Sequence, residues 1–255
     1  LAGNSATQAT DTSSKDSAAP SIAISSDLSS LAVGHTTSLS FSLSESSSNF
    51  TAEDIAVSGG SLSAFSGSNS FYTATFIPNA DSTADGIISI ANGTFSDFAG
   101  NTNTDDLDLD NSLSLSIDTI SPSVSLTSDL ASLKAGETAS LTFTLSESSS
   151  TFTAEDIAIS GGSLSTFSGS GSSYSAIFTP DIDSIADGLI SIDSSAFSDL
   201  AGNANTDGAD SDNSFTLSID TLAPSIALSS DITSLSTGDV ANLSFSLSEP
   251  STDFD

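Results

Sequence analysis

Residues 38–46 read SLSFSLSES, so that serine alternates with leucine and phenylalanine along the stretch. A period of two residues is typical of a β-strand with one buried face, because successive side chains point to opposite sides of a sheet. Nearly the same letters return at 140–148, as SLTFTLSES, and at 242–250, as NLSFSLSEP. The stretch is therefore predicted to be a half-buried strand that belongs to an internal repeat.

The repeat has a period of 102 residues, which the prolines Pro20, Pro122 and Pro224 mark directly. A unit of this length has the size of a whole domain, whereas solenoid repeats are roughly 20–45 residues long. The chain is therefore predicted to be a string of domains. Its predicted parts are the tail of a preceding repeat with a linker (1–18), two complete repeats (19–120 and 121–222) and the truncated start of a further repeat (223–255).

Each complete repeat is predicted to contain seven short strands, because period-two stretches are separated by turns rich in glycine, asparagine and aspartate. In the first repeat the predicted strands cover 21–26, 38–44, 54–58, 61–66, 72–77, 87–91 and 112–117. No apolar run reaches the roughly 20 residues that a membrane-spanning helix needs. The predicted fold class is all-β, with tandem immunoglobulin-like Greek-key β-sandwiches of 102 residues each.

The composition excludes several classes of function. The chain carries 33 acidic and 2 basic residues, a formal charge of −31, so nucleic acid and anionic membrane surfaces would repel it. It has no cysteine and one histidine, which removes disulfides, thiolate metal sites and most catalytic constellations. With 36% apolar residues the chain can still form a core. We expect a folded protein that is not an enzyme and does not insert into a membrane.

Four motifs together carry a resemblance to a known family. They are APSIALSSDITSL (223–235), SFSLSEP (244–250), FTAEDIAISGG (152–162) and FSDLAGNANTD (197–207). This set resembles the bacterial Ig-like repeats of giant surface adhesins, and especially the extender repeats of repeats-in-toxin-type adhesins from aquatic bacteria. The resemblance implies calcium-rigidified tandem domains, outside a bacterial cell, that hold a distal binding domain away from the cell surface in adhesion and biofilm formation. It does not identify the ligand of that distal domain.

The acidic residues point to calcium independently of the resemblance. Aspartate accounts for 27 of the 33 acids, and it favours turns and supplies oxygen ligands for calcium. Two basic residues cannot neutralise so many carboxylates. The predicted strand order gathers the acids at both ends of each repeat, so that neighbouring repeats of the chain present carboxylates to each other. We therefore predict calcium at each junction, the alternative being that these acids are solvated turn residues.

The candidate ligands fall into three groups. At the first complete junction they are Asp118, Glu147, Asp199 and Asn203, with Asp27, Asp81 or Asp85 nearby. At the second junction the equivalents are Asp220, Glu249, Asp129, Asp183 and Asp187. Further sites are predicted in the loops before the last strand of each repeat, at Asp108, Asp110, Asp210 and Asp212.

Three functions compete at this stage. A structural extender explains why the loops are nearly copied between repeats, since length and stiffness grow with the number of identical units. A ligand-binding adhesin module would favour loops that differ between copies. An enzyme would need a catalytic constellation, and the sequence contains none that we can identify. A surface-layer or filament protein is a close variant of the extender, built from the same domains.

Overall fold

A computed structural model describes residues 15–104 and 109–254. The chain divides into two compact units, Leu1–Ser121 and Pro122–Asp255, called here the first and the second unit. The described residues contain no helix long and apolar enough to cross a membrane. Their only helical elements are single 3-10 turns, Ala52–Asp54 and Ala154–Asp156.

The first unit is built from two antiparallel sheets that share one core. Its strands are β1 (Ile22–Ser26), β2 (Ser30–Leu31), β3 (Thr37–Ser47), β4 (Ile55–Ser58), β5 (Gly60–Pro78), β6 (Gly86–Ile90) and β7 (Ser112–Ile117). One sheet has the order β1-β3-β5 and the other β2-β7-β6-β4, in which only the β2–β7 pair is parallel. Both sheets send their apolar residues into one buried cluster, which is the arrangement of a β-sandwich.

The second unit repeats this architecture. Its strands are β8 (Val124–Ser128), β9 (Ser132–Lys134), β10 (Ala139–Ser149), β11 (Ile157–Ser160), β12 (Gly162–Pro180), β13 (Gly188–Ile192) and β14 (Ser214–Asp220), followed by β15 (Ile226–Ser230) and β16 (Leu243–Leu247). The sheets have the orders β8-β10-β12 and β9-β14-β13-β11, and β15 pairs with β16 alone among the described residues. The predicted all-β class of tandem Ig-like sandwiches is confirmed.

Two details differ from the predicted strands. The prediction of two separate strands at 61–66 and 72–77 is wrong, because one continuous strand, β5, covers both ranges. The connecting segment is held in the sheet by the pairing of Asn69 with Ser47, and the chain bends there through Gly67 at φ +141°. The two-residue strand β2 was not predicted, since its pairing with β7 depends on a residue far along the chain.

A cluster of aromatic rings fills one end of each core. In the first unit Phe50 packs against Tyr72 and Phe95, with ring centroids 5.0 and 5.2 Å apart. Phe50 follows the end of β3, and Phe95 lies within the loop that joins β6 to β7. This cluster therefore holds the end of β3 against that loop, and both carry acidic residues.

Candidate functional site

Three carboxylates meet at one end of the first unit. Asp16, Glu45 and Asp97 each offer one oxygen, and these oxygens all lie within 4.8 Å of one another. Asp16 precedes β1, Glu45 lies near the C-terminal end of β3, and Asp97 lies in the loop after β6. Side chains from three distant parts of the sequence thus form one acidic cluster, called here the Asp16 cluster.

Asp97 is buried and held in place by its own loop. Asn101 donates its backbone N–H to Asp97 Oδ1 and its side-chain amide to Asp97 Oδ2, both at 2.8 Å. The side-chain hydrogen bond from Asn101, helped by backbone N–H groups of the loop, lowers the pKa of Asp97 against the opposing effect of burial. Asp97 is therefore an ionised carboxylate in a fixed orientation.

The loop itself is folded around Asn103, which is fully buried. Its Oδ1 accepts the backbone N–H groups of Thr94 (2.8 Å) and Phe95 (3.1 Å), and its amide donates to the carbonyl of Ala91 (2.9 Å). One side chain thus hydrogen-bonds three backbone groups of the loop, and the Ala91 carbonyl also accepts the Thr94 hydroxyl at 3.1 Å. Asn103 positions the loop that presents Asp97 to the cluster.

The carboxylate of Glu45 is the one whose charged form is disfavoured in this cluster. Its burial, followed by the neighbouring carboxylates of Asp16 and Asp97, raises the pKa of Glu45 above its ordinary value. Asp16 is exposed, and its Oδ1 accepts the backbone N–H of Ala18 at 3.1 Å. No lysine or arginine forms an ion pair with these three carboxylates in the part of the chain that is described. The cluster is an anionic site with oxygen ligands only.

Asp16, Glu45 and Asp97 are not among the ligands predicted from the sequence. Each lies 102 residues before a predicted ligand, namely Asp118, Glu147 and Asp199. The same ligand set shifted by 102 residues toward the N-terminus gives all three residues. Residues 1–18 are predicted from the sequence to be the tail of a preceding repeat with a linker, so no ligand set is expected there.

The second unit contains the matching loop. Asp199 is buried, and it accepts the backbone N–H groups of Gly202 (2.7 Å) and Asn203 (2.8 Å) and the Asn203 amide (2.8 Å). Asn203 therefore orients Asp199, as Asn101 orients Asp97. Glu147 is half-buried near the end of β10, the position that Glu45 has in β3.

The remaining predicted ligands are mostly exposed residues of loops and strand ends. Asp27 and Asp129 follow β1 and β8, Asp85 and Asp187 come just before β6 and β13, and Asp81 and Asp183 have positive φ angles of 50° and 51°. Among the described residues, no group of three close acidic side chains includes any of these six. Their role as calcium ligands stays a prediction.

The ends of the last strands and the loops before them hold the other candidates. Asp118 directly follows β7, and its Oδ1 accepts the N–H of Ile120 at 3.3 Å, while Asp220 is the exposed last residue of β14. Glu249 follows β16, and its Oε1 is buried without a hydrogen-bond partner in the described part of the chain. Asp110, Asp210 and Asp212 are exposed, and Asp108 lies outside the described residues.

Comparison with known proteins identifies the type of domain. The family described as bacterial Ig-like domain matches residues 16–117 and 118–217, so the two matched segments begin at Asp16 and at Asp118. No curated protein sequence matches the chain.

Solved structures of two bacterial adhesins and of a bacterial integrin-binding protein are similar to the chain at low identity. The Escherichia coli adhesin FdeC is 14% identical, with 89% of this chain and 72% of that chain covered and a TM-score of 0.40. Invasin, titled a bacterial integrin-binding protein, is 10% identical, with coverages of 89% and 47% and a TM-score of 0.42. The Yersinia pseudotuberculosis adhesin InvE is 10% identical, with coverages of 78% and 59% and a TM-score of 0.29. The chain spans less than half of the solved invasin chain.

Proposed function

The chain belongs to the family of bacterial Ig-like domains, and we propose that it is a structural extender of a bacterial surface adhesin whose repeats are stiffened by calcium. The observation that carries the proposal is the Asp16 cluster, three carboxylate oxygens within 4.8 Å of one another without a basic partner. The near-identical copying of the repeat supports a spacer, because a spacer gains length and stiffness with each unit.

The residues of the cluster fit calcium. Calcium takes about 6–8 oxygen ligands in flexible geometry, from carboxylates, carbonyls and water. Asp16, Glu45 and Asp97 supply three such oxygens, and neither histidine nor cysteine belongs to the cluster. The pKa of Glu45 is raised by its burial and, second, by the carboxylates of Asp16 and Asp97, and a divalent cation would offset that repulsion. These properties favour calcium over a softer metal such as zinc.

A shared cation would join the linker to the domain body. Asp16 lies in the segment before β1, whereas Glu45 and Asp97 are positioned by β3 and by the loop around Asn103. Binding one ion to all three would restrain the segment that enters the domain. By the 102-residue repeat, we propose the same ligand types at Asp118, Glu147 and Asp199, and at Asp220 and Glu249.

The proposed location follows from the proposed ion. Extracellular calcium modules bind with dissociation constants of about 10⁻⁴ to 10⁻³ M, so such sites fill outside the cell and are empty in the cytosol. We therefore propose that the chain acts on the bacterial surface or in a secreted adhesin, as an extender of the repeats-in-toxin type. Its direct partners are the neighbouring repeats of the same chain.

Thermal unfolding tests the proposal. At fixed ionic strength, about 10 mM calcium is expected to stabilise each site by about 1.4–2.7 kcal/mol for the dissociation constants above. This corresponds to a rise of roughly 6–20 °C in the Tm of a domain of about 100 residues, relative to excess chelator. Equal Tm values in calcium, magnesium and chelator would contradict calcium stiffening. The proposal would then be reduced to a spacer built from Ig-like domains.

A further inference from the structure

A cleft of about 620 Å³ opens on the second unit beside the end of β10. Its walls come from three separate parts of the chain: the segment around Ser150, the bend of β12 at Phe167, and the loop after β13 at Leu200. Small-molecule sites in proteins have volumes of about 300–1,000 Å³ and mostly apolar walls with a few polar groups. The cleft lies within this range, and no carboxylate is among the described residues that line it.

Three aromatic rings form one wall of the cleft. The rings of Phe167 and Tyr174 are stacked, with centroids 5.6 Å apart and an interplanar angle of 17°. Phe152 meets both rings edge-on, with its centroid 5.8 Å from that of Phe167 and 5.1 Å from that of Tyr174. The Tyr174 hydroxyl donates a hydrogen bond to the Ser149 carbonyl at 2.9 Å. The wall is therefore apolar and preorganised before any ligand binds.

The backbone of β12 is bent where it borders the cleft. Thr166 has a φ angle of 51°, which is an outlier for a β-branched residue, and Gly169 has a φ angle of 140°. A Cβ atom at position 169 would lie 2.3 Å from the Ser173 carbonyl oxygen, so only glycine fits there. The bend brings Phe167 and Tyr174, both residues of this one strand, into the stacked arrangement. Strained backbone of this kind is concentrated at ligand-binding sites, and here it shapes the cleft.

The polar side chains of the cleft are hydroxyls. Ser148, Ser150 and Ser170 line it and are exposed to solvent. The lining residues that the structure describes carry no charge, although the chain as a whole has a formal charge of −31. The surrounding charge would repel an anion, and the cleft offers a cation no carboxylate ligand. A neutral molecule that combines an apolar face with several hydroxyls matches both the rings and the serines.

We propose that this cleft is a binding site for a neutral mono- or disaccharide. The C–H face of a sugar ring would pack against Phe167, which is half-buried and borders the cleft. The sugar hydroxyls would exchange hydrogen bonds with the hydroxyls of Ser150 and Ser170, which can both donate and accept. The inference does not rest on the proposed extender function, because no proposed calcium ligand is among the described residues that line the cleft.

One position of the cleft distinguishes the second repeat from the first. Gly171 stands where the first repeat has Asn69, and their φ angles of 65° and 60° place the two residues in the same backbone region. Apart from the chain neighbours, a Cβ at position 171 would have only the Ser148 Oγ within 4 Å, at 3.5 Å. The glycine therefore leaves open the space above Ser148, and an asparagine side chain would extend into it. Gly171→Asn narrows the cleft with a residue that the fold already accommodates in the first repeat.

The test uses the 255-residue chain and ligand-observed NMR with methyl glycosides of glucose, galactose, mannose and N-acetylglucosamine, each titrated alone. We expect saturation transfer to at least one glycoside, strongest at its ring C–H protons, with a Kd of about 1–10 mM. Gly171→Asn is expected to weaken that binding by about fivefold or more, because its side chain occupies the space of the ligand. The double substitution of Ser150→Ala and Ser170→Ala is expected to weaken it by about fivefold or more, because hydrogen bonds to the sugar are lost.

Gly136→Asn is the matched control. Gly136 is an exposed glycine of the same unit with a φ angle of 82°, and a Cβ there would meet nothing within 4 Å. This control should leave binding unchanged, and thermal unfolding verifies that every variant is folded. The proposal is overturned if none of the glycosides binds, or if Gly171→Asn binds as well as the unaltered chain. It is also overturned if cyclohexylmethanol, which has an apolar ring and a single hydroxyl, binds as tightly as the best glycoside, since the sugar hydroxyls would then not be recognised.

Discussion

Glu45→Gln should have opposite effects with and without calcium. Without calcium, the substitution removes one of three mutually repelling charges, and the raised pKa of Glu45 indicates that its charged form is disfavoured in the folded protein. The calcium-free variant should therefore be at least as stable as the unaltered chain. With calcium, it loses a ligand oxygen of full negative charge and should lose most of the ion's stabilisation.

The size of the calcium effect follows from mass action. An ion that binds only the folded state multiplies the folding equilibrium constant by one plus the ratio of its concentration to its dissociation constant. At about 10 mM calcium and dissociation constants of about 10⁻³ to 10⁻⁴ M, that factor is about 10 to 100. Amides of the first core that exchange through global unfolding should slow by this factor in the unaltered chain, and by less than about threefold in the variant.

Hydrogen exchange read by mass spectrometry can follow the two units separately. Peptides from 38–50 and 95–104 report on the first unit, and those from 140–152 and 197–206 serve as an internal reference that retains Glu147. Glu53→Gln is the matched control, because Glu53 is an exposed glutamate of the same unit outside the Asp16 cluster. It makes the same change in net charge and should leave the calcium effect intact.

Two results would refute this reasoning. Full calcium protection in Glu45→Gln would mean that the Asp16 cluster does not hold the ion. An equal loss of protection in Glu53→Gln would mean that calcium acts only by screening the net charge of −31.

Four further substitutions test the fold around the site, each by denaturant or thermal unfolding. Asn103→Ala removes the acceptor of the Thr94 and Phe95 backbone N–H groups, while the Ala91 carbonyl keeps the Thr94 hydroxyl as a donor, so the substitution should cost about 2–4 kcal/mol. Asn69→Gly, which installs the residue found at the same place in the second repeat, should change stability by less than about 0.5 kcal/mol. Gly86→Ala would place a Cβ 2.6 Å from Cζ of the buried Phe76 ring and should cost about 1–3 kcal/mol. Burial raises the pKa of Tyr72, so the folded state holds the phenolic proton more tightly than the unfolded state does. The resulting contribution to the free energy of unfolding is complete below pH 10.0, and it is lost as the pH rises through the folded-state pKa. Tyr72→Phe should therefore flatten the alkaline loss of stability, and an unchanged alkaline slope would contradict the assignment.

The strands and the repeat could be predicted because both are local in the sequence. Alternation along β3 is visible in consecutive residues, and Phe41 and Leu43 are buried as a period of two requires. The period of 102 residues needs only a comparison of the chain with itself. The acidic loop motif FSDFAGN, residues 95–101, was recognisable for the same reason.

The tertiary structure decided which acids meet. Asp16, Glu45 and Asp97 come together only because β1, β3 and the loop after β6 reach the same end of the sandwich. It also decided that Asp97 is buried and oriented by Asn101, whereas Asp27 and Asp81 remain exposed. Sequence alternation determines which face of a strand is apolar. The distances between carboxylates depend on how separate loops pack, and that packing is set by long-range contacts such as the one between Phe50 and Phe95.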